Sequence, residues 1–147
     1  MALVFNVALG KVAYYTSLPL TNDALVIVPL AAAGLVSDAV MRDYADLQTL
    51  LAGTTDEQST MGRKTLTGVT GTVDNTNDRF AGDAGDVTWT AATGAAVAAF
   101  VICYDPDTTT GTDADLIPLT KHELSLTPDG TNFVLSINDF VRDSSTG

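Results

Sequence analysis

One cysteine, one histidine and one tryptophan are all that the 147-residue sequence contains of those three side chains. A lone Cys103 excludes an intrachain disulfide and a cysteine-based metal site. A lone His122 gives no basis for assembling a Ser-His-Asp triad, a Cys-His couple or an HExxH zinc motif. Neither GxxxxGK[ST] nor GxGxxG occurs, so no phosphate-cradling loop is indicated. No stretch of roughly 18 apolar residues exists, so no membrane-spanning helix is expected. The opening Met1-Ala2-Leu3-Val4-Phe5 lacks a basic start, and Lys11 follows only after the apolar stretch, so a secretory leader is not expected either.

Positive charge is also scarce. Seven Lys and Arg stand against 18 Asp and Glu, a net charge of −11. The imbalance is concentrated late: residues 1–73 hold six acids and four bases, residues 74–147 twelve acids and three bases. Such a surface repels phosphate, which argues against direct nucleic-acid binding. Acidic turns keep a β-rich domain soluble; the sharper alternative is docking onto a basic partner.

What is present suits a packed β-domain. Apolar residues make up 46% of a chain of one-domain length, enough for a real core. Without disulfides or metal, that core or contacts between subunits must hold the fold. The 22 threonines cluster in strand-like and turn-like stretches, where a β-branched polar side chain suits a half-exposed pleat.

Along the chain, residues 2–9 (ALVFNVAL) are strand-like up to Gly10, and Lys11 to Tyr15 continue as a second extended segment. Pro19 and Asn22-Asp23 mark a loop. Ala24 to Leu30 is a continuous apolar run, expected as a strand buried on both faces or facing a subunit neighbour. Pro29 suggests that this strand stops or lies at an edge there. One helix is expected at about residues 43–52. Tyr44, Leu47, Leu50 and Leu51 form its apolar stripe, Asp43 its N-cap, Asp46 lies in the first turn, and Gly53 follows the end. The stripe packs on the sheet or, alternatively, meets a partner.

Further strands are expected at 63–67, 69–73, 79–81, 86–91, 97–104, 114–119 and 132–137. Pro128-Asp129-Gly130 has turn chemistry and lies between two alternating segments, HELSLT and NFVLSI, which predicts a hairpin. The fold class is therefore mainly β, a sandwich or open barrel of short antiparallel strands with one short helix. It is read as a single domain, 1–147, with a possible extended N-terminal arm at 1–9 and a frayed tail at 143–147.

The candidate residues are few. Trp89, between Thr88 and Thr90, points away from both and is expected as a core anchor. Cys103, inside an apolar run, is expected as a buried thiol, and His122 as an exposed or hydrogen-bonded strand residue. The Asp105–Asp115 turn offers alternating oxygens to a hard cation. It fails the EF-hand pattern, with Thr110 where glycine is needed and Leu116 where glutamate is needed, and is otherwise a solvated loop. Pairs of the 18 acids are conceivable for glycoside hydrolysis, but a single Trp is a poor platform for sugar.

The run DNTNDRFAGDAGDVTWTAATG, the following apolar strand, CYDPDTTTGTDADLIPLT, the HEL strand and the TPDG turn together resemble small virion proteins of tailed bacteriophages. The N-terminal half, with ALVIVPL, DYADLQTLLAG and RKTLTG, fits the same group, so the resemblance covers most of the chain. It implies a structural protein of the head, a capsid decoration or minor capsid protein made in the bacterial cytoplasm and lodged in the virion. The implied partner is the major capsid protein, with many symmetric copies or a homo-oligomer, and no enzyme activity or cofactor is implied. A tail, baseplate or head-fibre component is the alternative within that class; a calcium- or glycan-binding β-module is the alternative outside it. Phe5, Tyr14 and Tyr15 are candidate partner contacts, with the domain core as the competing place for Phe5 and Tyr14.

Overall fold

The computed structural model describes residues 2–18 and 21–144. In chain order its elements are β1 (Leu3–Val4), a 3-10 turn (Asn6–Ala8), α1 (Val12–Thr16), β2 (Ala24–Ala31), α2 (Asp38–Met41), α3 (Leu47–Leu51), β3 (Lys64–Thr65), β4 (Thr70–Asp74), β5 (Arg79–Asp83), β6 (Val87–Trp89), β7 (Val97–Asp105), β8 (Ile117–Leu126), β9 (Phe133–Leu135) and β10 (Val141–Ser144). The fold is mainly β, as the composition implies. A five-stranded sheet runs β1-β8-β7-β2-β3, a three-stranded sheet β10-β5-β4, and β6 pairs with β9. Every pairing is antiparallel and none closes a barrel.

The five-stranded sheet is covered on both faces, which explains why β2 and most of β7 are unbroken apolar runs. All eight residues of β2 are buried. One face carries Leu25, Ile27, Phe100, Ile102 and Leu119, packed with Trp89, Ile137 and Phe140. The other carries Val26, Val28, Leu30, Val101 and Cys103, packed with Phe5 and with Met41, Leu47 and Leu50 of the helical segment. Pro29 is tolerated because its carbonyl accepts from Gln58 N on the side away from β7. Its missing N–H faces that same side, so the β2–β7 ladder loses nothing and β2 continues past it to Ala31.

Several expectations need correction. Of the helix expected at 43–52 only α3, Leu47–Leu51, is helical, a separate short helix α2 precedes the range, and the cap is Asp46 rather than Asp43: the Asp46 carboxylate accepts from Thr49 N at 2.6 Å. The segment Lys11 to Tyr15 is helical. Gly10 turns the chain at φ 71°, Lys11 N donates to Ala8 O, and α1 follows with Val12 and Thr16 buried. Residues 2–9 supply only the two-residue β1 before the 3-10 turn. The Pro128-Asp129-Gly130 turn is not a hairpin. HELSLT belongs to β8, which pairs with β7, whereas β9 crosses to β6 with Trp89 opposite Phe133. Gly130, at φ 89°, donates to Ala92 O instead, tying that crossover to the end of β6. Of the expected frayed tail, Asp143 and Ser144 lie in β10, paired with Phe80 and Arg79; residues 145–147 lie outside the described residues, as do Met1 of the arm and Pro19 of the loop.

Candidate assembly surface

Trp89 is a core anchor. It is 2% exposed, its ring packs against both Phe100 and Phe133 with centroids 5.4 and 5.8 Å away, and its indole N–H donates to Gly62 O at 2.9 Å. Cys103 is fully buried, and burial drives its thiol pKa far above the ordinary range, so it is not a nucleophile at neutral pH. His122, on β8, has Nε2 2.9 Å from Thr120 Oγ1 and forms part of the wall of a cleft of about 200 Å³ between β8 and residues 135–140. Burial lowers its pKa, keeping the ring neutral.

The carboxylates of the acidic turns are occupied by their own chain. Asp107 accepts from Asn22 Nδ2, and from Thr109 N and the Thr109 and Thr110 hydroxyls, and the bonds from Thr109 and Thr110 hold its pKa well below the usual range. Asp115 accepts from Thr112 N and its hydroxyl, both at 2.9 Å. Asp113 joins Glu57 in gripping Arg63 from two sides, which fixes the β7–β8 loop to the chain before β3 and lowers the Asp113 pKa through the Arg63 hydrogen bond. Asp74 accepts from Thr76 N, Asn77 and Arg79. These acids shape turns. Among the described residues, no three His, Cys, Asp or Glu side chains converge as a metal site, and every buried side-chain nitrogen or oxygen has a partner.

A buried cation lies on the helical side of the sheet. The Lys121 side chain is 3% exposed and its ammonium meets Asp38 of α2 and Glu123. Burial alone would push that ammonium down; the two carboxylates more than offset it, and its pKa sits above the ordinary lysine value. The pair fastens α2 to β8. Nothing in the local sequence signals it, because Asp38 and Lys121 are 83 residues apart.

The three candidate contact residues separate. Phe5 is fully buried in the core beneath the helices, so it is not an exposed contact. Tyr15 is half-buried, its ring 4.8 Å from Tyr104, whose hydroxyl donates to Asp23 at 2.8 Å. Burial and that carboxylate push the Tyr104 phenol up to about 12. Tyr14 is 62% exposed. Leu9, at the end of the segment expected as a strand, is 60% exposed.

Val12 and Thr16 of α1 turn inward, and Thr16 Oγ1 donates back to Val12 O at 2.8 Å. Ala13, Tyr14, Tyr15, Ser17 and Leu18 reach solvent fully or in part, with Leu9, Gly10 and the charged Lys11 exposed just before them. The outward face of this short helix is thus apolar or neutral, where a solvated helix face would carry charge. Its setting is unusual for so acidic a chain: residues 1–22 contain no Asp or Glu, and Lys11 is their only charged side chain. Interface centres share this depletion of charge and enrichment in tyrosine. No protein-family model, curated protein or solved structure matches the chain.

Proposed function

We propose that this protein is a structural component of a tailed-phage virion, a decoration or minor capsid protein that docks in many copies on the major capsid protein lattice and stabilises the head. The observation that carries the assembly role is the exposure of two large side chains, Leu9 at 60% and Tyr14 at 62%, on a stretch whose sequence, residues 1–22, holds no acid in a chain of charge −11. Cys103 is in the core, His122 is against Thr120, and the carboxylates of Asp107 and Asp115 are bonded to their own loop. The virion assignment rests on the sequence resemblance, which spans most of the chain. A rigid disulfide-free β-scaffold suits a part made in a reducing cytoplasm and used in symmetric arrays.

The test is to delete the gene from the phage that carries it and to label the protein on wild-type particles with gold-conjugated antibody. Label on the head, with mutant heads that lose DNA at lower temperature, supports the reading. Label confined to the tail moves the protein to the alternative structural class, and unlabelled particles refute a virion role.

A further inference from the structure

Among the described residues, Lys121 is the only charged one that is buried; the other buried polar side chains are Thr16, Thr55, Gln58 and Thr120. Its register partners on the neighbouring strands are Leu3 and Val101, both part of the apolar cluster that includes Phe5 and Met41. An ammonium in such a place is costly, and an apolar side chain would often serve the core as well. Two carboxylates converge on its Nζ from different elements. Asp38 Oδ1 of α2 lies at 2.5 Å, and Glu123 Oε1, two residues along the same face of β8, at 3.1 Å. Arg63, Arg79 and Arg142 also hold carboxylates, but a guanidinium keeps its proton and is no nucleophile. Lys121 is different: a primary amine pressed against one acid that it can acylate on, with a second acid placed to carry protons.

We propose that Lys121 and Asp38 are a self-modifying pair: Lys121 Nζ condenses with the Asp38 side-chain carboxyl to form an isopeptide bond, with Glu123 moving the protons. The ammonium first gives one proton, through Glu123, to the Asp38 carboxylate, which turns the ion pair into amine and acid without changing the net charge. Nζ then attacks Asp38 Cγ and the C–N bond forms. A second proton passes from the nitrogen through Glu123 to the leaving hydroxyl, the C–O bond breaks and one water departs. Ammonium plus carboxylate becomes amide plus water, Glu123 ends as it began, and no oxidant or activated co-reactant is consumed. Lys121 holds its proton firmly against solvent, but the first step moves that proton only within the pair.

Between free ions in water this condensation is unfavourable. Here the amine is already out of solvent, with its side chain 3% exposed, and well-oriented intramolecular partners reach effective molarities of about 10⁵–10⁸ M. A neutral amide also removes the cost of the buried charge. The Asp38 side chain, 45% exposed, leaves the water a way out. The product ties α2 to β8 across 83 residues in a chain whose single cysteine is buried and free. The inference does not depend on the virion assignment.

Intact-mass spectrometry of the purified, denatured chain tests this. The native chain is expected to be lighter than its sequence by one water, and Lys121→Arg, which keeps the charge without the nucleophile, to have its full sequence mass. Asp38→Asn is expected to form the same bond with loss of ammonia instead of water. Trypsin does not cut at an acylated lysine, so the native digest should hold residues 12–42 joined to residues 80–142. Refolded from an unreacted, denatured preparation, Glu123→Gln should lose water at least about 100-fold more slowly than the native chain. A native chain that keeps its full sequence mass after prolonged incubation in the folded state overturns the proposal. So does a loss of water that persists in Lys121→Arg, or one that the digest places at Asp129-Gly130 as a succinimide. An unchanged rate in Glu123→Gln contradicts the proton-carrying role. None of these failures touches the virion reading, which the particle experiment decides.

Discussion

At the scale of single residues, the fold depends most on Trp89. Its ring packs against both Phe100 and Phe133 and its N–H is satisfied by Gly62 O, so truncation removes a large apolar volume and a buried hydrogen bond together. Trp89→Ala is expected to cost about 3–5 kcal/mol, read as a lower urea midpoint by circular dichroism. The role of Trp89 was legible because Thr88-Trp89-Thr90 alternates, and alternation alone sends the middle side chain to the opposite face. His122 was legible only as a strand residue, since its cleft is built by residues 135–140, which sequence spacing does not place nearby. Its effect on stability has a definite sign. Burial lowers its pKa in the fold, so below about 6.5 the unfolded chain takes up a proton that the folded chain resists. Stability is therefore expected to decline as pH falls from about 6.5, before the carboxylates titrate. His122→Gln should flatten that part of a urea-midpoint-against-pH curve; an unchanged slope would remove His122 as its source.

Among the elements, the sequence was most readable where burial is two-sided and least readable where local chemistry allows two outcomes. β2 and β7 follow from their apolar runs because no other placement buries them. Val12-Ala13-Tyr14-Tyr15-Thr16 is rich in β-branched and aromatic residues and so looks extended. It is helical because Gly10 and Lys11 turn the chain and because Val12 and Thr16 face the core, a tertiary effect that propensity does not contain. The Pro128-Asp129-Gly130 segment was correctly a turn and wrongly a hairpin. Turn chemistry fixes the bend, whereas the pairing of β9 with β6 is set by Trp89 and Phe133, more than 40 residues apart. The cap of α3 gives a direct test at this scale: Asp46→Ala removes the bond to Thr49 N and should cost about 1 kcal/mol, measured by urea unfolding. Gly34 gives another. It sits at φ 78° with Thr54 O only 2.0 Å from where a Cβ would be, so Gly34→Ala should destabilise by more than about 1 kcal/mol in the same assay.

For the whole molecule, charge and shape divide the surface in two. The acidic part is a set of turns locked by their own carboxylates, which gives stiffness and mutual repulsion. The other part is the N-terminal stretch, with Tyr14 exposed on α1 and Leu9 exposed before it. The excess of acid in the second half was legible in the sequence; the surface at α1 was legible only as the bare tyrosines, because Phe5 vanishes into the core and Leu9 emerges from what looked like a strand. On the proposed reading the protein acts by position and number, and its copy number in the particle is the quantity that tests it. Quantitative mass spectrometry of purified particles measures it most directly. The account predicts that the chain is present in a fixed ratio to the major capsid protein, at many copies per head, and that the ratio survives further purification. A chain abundant in the infected-cell lysate but absent from purified particles would contradict it.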